Sequence, residues 1–121
     1  IEMQNKKTGK LFSFCLSSPA IIKEQKLSIR HDLSQAGIQI GLLYQISDDL
    51  IDFKGSSNKV GKKTKKDIKK GKATLINLMG YKNTIEFAYS LKNKILKKVE
   101  KYGRKSFDLT ESLEYIIERE I

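Results

Sequence analysis

The segment from residue 32 to residue 53, DLSQAGIQIGLLYQISDDLIDF, decides the fold of this chain. Its apolar residues lie on nearly every side of a helix rather than along one stripe: Leu33, Ile38, Ile40, Leu42, Leu43, Ile46, Leu50 and Ile51. A helix that is apolar all round has to be buried among other helices. The segment therefore predicts an all-α fold in which one central helix is covered by its neighbours.

The same segment carries an acidic cluster. Gln45, Asp48, Asp49 and Asp52 are spaced so that they share one helix face, because residues three or four apart are neighbours on a helix. Carboxylates this close repel one another and are costly to bury without a partner. A divalent cation relieves the conflict, since Mg²⁺ prefers carboxylate oxygens and takes water and phosphate at its remaining positions. An acidic surface face at a helix end is the alternative interpretation.

A lysine-dense segment follows the acidic cluster. Residues 59–72 contain eight lysines against one aspartate, with Gly61 and Gly71 allowing tight bends. Ammonium groups suit phosphate oxygens, and the segment is close enough to fold back over a metal-bound anion. A solvated basic loop or a nucleic-acid tether is typical of such a pattern as well.

The rest of the chain also shows helical spacing, and no run of two-residue alternation predicts a strand. We expect a first helix that ends at Ser17-Ser18-Pro19 and a short helix from about residue 20 to 27. The central helix is expected to end at Lys54-Gly55. Capping pairs, Asn83 with Glu86 and Asp108 with Glu111, predict helices over about residues 84–102 and 109–121.

The length and net charge of the chain limit the kinds of protein and of partner that need to be considered. The 121 residues suit one domain or a piece of a larger one, and the net charge of +10 favours an anionic partner.

Cys15 is expected to be a packed thiol, and His31 has no second ligand for a metal. The sequence contains neither a membrane-spanning stretch nor a secretory signal, so we expect a cytoplasmic protein. Because Ile1 opens what looks like mid-helix sequence, we expect the chain to begin inside a longer protein.

Taken in order, the motifs resemble the trans-prenyltransferases of the polyprenyl synthetase family, especially bacterial farnesyl diphosphate synthases. The resemblance rests on Lys7-Thr8-Gly9, Tyr44-Gln45, Asp48 to Asp52, Gly61-Lys62, Asp67, Gly71-Lys72-Ala73-Thr74, and Tyr115 to Arg119. Two positions depart from the family pattern: Ile76 stands where the family often has proline, and Tyr44 replaces the usual phenylalanine.

The resemblance implies the fold and the activity. Residues 1–121 would form the C-terminal part of a single isoprenoid-synthase helical bundle whose N-terminal helices are missing. The reaction would be condensation of an allylic diphosphate with isopentenyl diphosphate to a short-chain product, which we expect to be farnesyl diphosphate. The family's first aspartate-rich motif belongs upstream of Ile1, so the isolated chain is expected to be inactive. Family members are commonly homodimers.

The resemblance also implies roles for individual residues. Asp48, Asp49 and Asp52 would hold Mg²⁺. Lys7, Lys62 and Lys72 would bind the substrate diphosphate. Lys7, Thr8 and Gln45 would be catalytic, with Thr8 and Gln45 presenting neutral dipoles to the allylic cation.

Two other classes of protein are compatible with parts of the sequence. A basic helical module could bind nucleic acid through the lysine segment, but the aspartates argue against it because carboxylates repel phosphate. A non-catalytic subunit of the same fold would pair with a competent partner. Retention of every downstream motif residue favours the enzyme over this subunit.

Overall fold

A computed structural model describes residues 5–59 and 74–119, and within these ranges the chain is helical without a strand. The elements are a π-helical turn (Asn5–Gly9), α1 (Lys10–Ile22), α2 (Leu27–Lys59), α3 (Leu75–Met79), α4 (Tyr81–Val99), a 3₁₀ segment (Glu100–Ser106) and α5 (Phe107–Glu118). The predicted all-α class is confirmed. In the described part of the chain, no helix has the length and apolar character that crossing a membrane requires.

The core lies where α2 meets α4 and α5. Leu43, Ile46 and Leu50 of α2 are at most 2% exposed, as are Ile95 of α4 and Leu113 of α5. Full burial of an aliphatic side chain of this size stabilises the fold by about 1.5–3 kcal/mol. The prediction that the 32–53 segment is buried among other helices is therefore confirmed.

The backbones of α1 and α2 pack in close contact. A Cβ atom added at Gly37 would lie 2.5 Å from the carbonyl oxygen of Phe12, and one added at Gly41 would lie 2.7 Å from the Cα of Gly9. The hydroxyl oxygens of Ser13 and Ser34 are 2.7 Å apart across the same contact. Only residues without a side chain fit at Gly37 and Gly41, so this pair of glycines sets the distance between the two helices.

The predicted break at Ser17-Ser18-Pro19 is wrong, because α1 runs through Pro19 to Ile22. Proline removes one N–H group and crowds the preceding turn, but here it stands only three residues before the helix end. Ala20 is buried and holds this last turn against the core. The expected helix over about 20–27 is instead the end of α1 and the turn that follows, with Glu24 at a φ of 50°.

The other helix boundaries also differ from the sequence prediction. α2 begins at Leu27 and continues through Gly55 to Lys59. α4 begins at Tyr81, where Gly80 adopts a φ of 85°, and the Asn83 side chain donates 2.9 Å to the carbonyl of Met79 rather than capping the helix. α5 begins at Phe107, which places Asp108 in its first turn. α2 therefore extends beyond its predicted span at both ends, and α4 and α5 begin two to three residues before their predicted starts.

Substituting Gly37→Ala should destabilise the protein by about 1–3 kcal/mol, because the new methyl group would overlap backbone atoms that cannot move aside cheaply. Gly55→Ala is the matched control. A Cβ at Gly55 meets nothing within 4 Å, so alanine there should stabilise the helix by about 0.5–1 kcal/mol. Urea unfolding followed by circular dichroism measures both changes. Equal unfolding midpoints for the two variants would contradict the close-contact interpretation.

Candidate active site

The predicted polar stripe is present on α2. Asp48 and Asp49 are half-buried and Asp52 is exposed. The Gln45 amide donates to Oδ1 of Asp49 across 3.5 Å, a long hydrogen bond. Asp52 follows Asp48 by one helical turn, so these four side chains lie along one side of an otherwise apolar helix.

The turn that contains Thr8 packs against α2 beside this stripe. The close approach of Gly9 to Gly41 places the turn one helical turn before Gln45. Thr8 is half-buried there. Lys7 belongs to the same π-helical turn, and its side chain is not among those the structure describes. Lys62 and Lys72, both predicted to bind diphosphate, lie outside the described residues.

A cation from α5 reaches the first aspartate of the stripe. Arg119, the residue that follows the end of α5, donates from a terminal guanidinium nitrogen to Oδ1 of Asp48 across 2.9 Å. The same nitrogen lies 3.3 Å from the hydroxyl oxygen of Ser47. The guanidinium carbon stands 4.6 Å from the centre of the Tyr44 ring, within the range of a cation–π contact.

Ser47 connects this arrangement to the core. Its side chain is fully buried and its hydroxyl donates 2.7 Å to the carbonyl of Ile116. Carbonyls in the last turn of a helix have no partner within the helix, so this hydrogen bond satisfies one of them. It also fixes the end of α5 on α2, next to Asp48.

Opposing influences act on the pKa of Arg119. Burial tends to lower it and is the largest single influence, but the hydrogen-bonded Asp48 carboxylate and the adjacent Tyr44 side chain together outweigh burial and raise the pKa above its ordinary value. Arginine is already protonated at any accessible pH. Arg119 is therefore a permanent positive charge beside the stripe.

Sequence reasoning missed the roles of Arg119 and Ser47. The sequence marks Arg119 only as part of a C-terminal helix motif, and its partner Asp48 is 71 residues away. No local pattern reports a contact of that range. A weak signal existed at Ser47, since a hydroxyl inside an apolar helix needs a hydrogen-bond partner when it is buried.

The donor set of the stripe fits Mg²⁺, although it is not a closed metal site. Within residues 5–59 and 74–119, no three His, Cys, Asp or Glu side chains are grouped so that they could hold a metal ion. Mg²⁺ does not need such a group, because it usually takes one or two carboxylates and completes its shell with water and phosphate oxygens. The stripe offers carboxylates of this kind at a surface that is half open to solvent.

Two cavities lie between α1, α2 and α5. One, of about 290 Å³, has mostly apolar walls from α1, α2 and α5, among them Leu16, Ile40 and Leu113. A more open one, of about 490 Å³, is bounded by Phe12 and Tyr44 together with residues of α5. Tyr44, which bounds the more open cavity, precedes Asp48 by one helical turn, so this cavity lies beside the Asp48 end of the stripe.

Comparison with known proteins identifies the family. The sequence model of the polyprenyl synthetase family matches residues 1–115. The chain belongs to the polyprenyl synthetase family. The predicted resemblance is confirmed over nearly the whole chain.

Individual relatives agree with this assignment. The chain is 40% identical over 86 residues to a geranylgeranyl pyrophosphate synthase of Geoglobus acetivorans, a match that covers 71% of this chain and 27% of the relative. It is 32% identical over 87 residues to the farnesyl diphosphate synthase of Bacillus subtilis, covering 69% of this chain and 29% of the relative. The chain thus spans about a quarter to a third of these relatives.

A solved structure shows the same fold. The crystal structure of a FPP/GFPP synthase from Zymomonas mobilis superposes with a TM-score of 0.77 at 34% sequence identity. The match covers 93% of this chain and 35% of that structure. The all-α arrangement described above is therefore that of isoprenoid synthases.

Ser47→Ala should destabilise the protein by about 1–3 kcal/mol, because it leaves the buried Ile116 carbonyl without its side-chain donor. Ser112→Ala is the control, since that exposed hydroxyl bonds only to the Asp108 carbonyl of its own helix. Thermal unfolding of the two variants measures the difference. A Ser47→Ala protein as stable as the Ser112→Ala protein would contradict the proposed anchoring of α5.

Proposed function

We propose that this chain carries the second metal–diphosphate half-site of a short-chain prenyltransferase, which condenses an allylic diphosphate with isopentenyl diphosphate. The observation that carries the proposal is the carboxylate stripe of Asp48, Asp49 and Asp52 on the helix whose middle forms the core. Membership of the polyprenyl synthetase family supports it. A surface that binds metal-complexed diphosphate accounts for both the carboxylates and the net charge of +10.

The proposed cofactor is Mg²⁺, held by one or two of the carboxylates of Asp48, Asp49 and Asp52. When bound, it would supply positive charge that offsets the negative charge developing on the leaving diphosphate. Lys7, Lys62 and Lys72 would bind the oxygens of that diphosphate as fixed cations, at little reorganisation cost.

Neutral dipoles would face the reacting carbon atoms. The Thr8 hydroxyl and the Gln45 amide can orient an oxygen toward an allylic cation without forming a covalent bond to it. The packing of the Thr8 turn beside Gln45 supports this assignment, because it brings the two residues to one side of α2. Lys7, in the same turn, would contribute its charge to the diphosphate.

Farnesyl diphosphate is the product we propose, on the strength of the motif resemblance. Among the relatives, both farnesyl and geranylgeranyl synthases occur by name. We further propose a cytoplasmic homodimer as the complete enzyme, and we expect residues 1–121 alone to be inactive because condensation in this family needs a second, facing aspartate motif.

Asp48→Asn should weaken Mg²⁺-dependent binding of inorganic diphosphate by about tenfold or more, because one charge-assisted contact is worth about 1.5–3 kcal/mol. Calorimetric titration of diphosphate into the 121-residue chain, with and without Mg²⁺, measures the effect. Asp108→Asn is the matched control, since that exposed carboxylate of α5 lies outside the stripe and should leave binding unchanged.

Binding that ignores both Mg²⁺ and the Asp48 substitution would overturn the proposal. If such binding also weakened steeply with salt and extended to DNA oligonucleotides, the lysine segment would be acting as a nucleic-acid tether instead.

A further inference from the structure

Asp48 has a resident partner that the proposed reaction does not use. Arg119 lies 2.9 Å from one of its oxygens, and both side chains are partly shielded from water, at 21% and 40% exposure. Partial shielding strengthens an ion pair relative to a fully exposed one. A cation that approaches Asp48 therefore meets a carboxylate that is already neutralised.

The neighbouring residues hold the Arg119 guanidinium next to Asp48 but do not provide acceptors for all of its hydrogen-bond donors. Tyr44 supports the guanidinium from one face, and Ser47 accepts a second hydrogen bond from it. The Nε atom of Arg119 is buried and has no hydrogen-bond partner among the residues that the structure describes. A buried donor without a partner destabilises the arrangement, so the guanidinium is less firmly held than an arginine with every donor paired.

We propose that Arg119 is the counter-ion of Asp48 in the metal-free protein and competes with the divalent cation, so that the end of α5 sets the metal affinity of the stripe. This inference rests on the proposed metal half-site and adds a residue to it. Arg119 does not touch the reacting atoms in this proposal. It acts through Asp48 and is a positioning residue.

Two physical consequences follow from the competition. A positive charge a few ångströms from the metal position lowers the affinity for a bare cation, and removing it should raise that affinity by about tenfold. Metal binding should also release Arg119 from Asp48. Because Ile116 and Ile117 stay buried in the core, the release is confined to the last turn of α5.

The test is a titration of the chain with Mn²⁺ alone, followed by electron paramagnetic resonance. Arg119→Gln should bind Mn²⁺ about tenfold more tightly than the wild-type chain, and Arg119→Lys, which keeps the charge, should resemble wild type. In an Asp48→Asn background the Arg119→Gln substitution should have no effect, because the competing pair is already gone. Circular dichroism confirms that each variant is folded.

A second measurement needs no substitution at Arg119. Hydrogen exchange in the last turn of α5 should become faster when Mg²⁺ is added to the wild-type chain and should not change in Asp48→Asn. This readout separates competition from a purely structural anchor, which metal would leave undisturbed.

The possible results of the Mn²⁺ titration test the competition by Arg119 separately from the proposed metal half-site. Unchanged or weaker Mn²⁺ binding by Arg119→Gln, with binding still lost in Asp48→Asn, overturns the competition and leaves the half-site standing. Absence of Mn²⁺ binding in the wild-type chain and in Arg119→Gln overturns both. Binding that appears only in Arg119→Gln supports both.

Discussion

One helix has to satisfy two opposing demands, and the rest of the structure depends on how it does so. α2 is buried through its middle, from residue 36 to residue 50, yet it carries four polar side chains, three of them carboxylates, along one side. Burying a charge without a partner costs far more than burying a methyl group yields. The neighbouring helices therefore cover the apolar residues in the middle of α2 and leave the carboxylate side half open. Asp52 is exposed and Leu43, in the middle of the helix, is buried for the same reason: charged groups need solvent or a partner, and apolar groups do not.

The sequence predicted the part of the structure that depends on α2 itself. All-round apolar character predicts burial, and a spacing of three and four predicts one polar side, because both are properties of a single helix. Helix boundaries were less predictable. Pro19 and Gly55 are strong local signals for a break, but each lies near a helix end, where continuing the helix costs little.

No pattern in the sequence predicted the long-range contacts. The ion pair of Arg119 with Asp48 and the hydrogen bond from Ser47 to Ile116 join residues about seventy positions apart. Such contacts arise from the packing of α5 on α2, which depends on shape rather than on any local pattern. The family resemblance located the aspartates and the C-terminal helix separately, and the structure shows that they meet. One charge of the site, that of Arg119, thus comes from a helix that the sequence motifs mark only as the C-terminal one.

The separation between Asp48 and Arg119 also orders the assembly of the site during synthesis. At about 5–20 residues per second, α5 leaves the ribosome several seconds or more after α2 has emerged. Throughout that interval the Ser47 hydroxyl has no Ile116 carbonyl to meet, and the α5-facing side of α2 is uncovered. The nascent chain therefore exposes the apolar α5-facing side of α2 and the Asp48 carboxylate together, without the residues of α5 and Arg119 that later contact them. Formation of α5 covers that side of α2 and pairs Asp48 with Arg119 in one step.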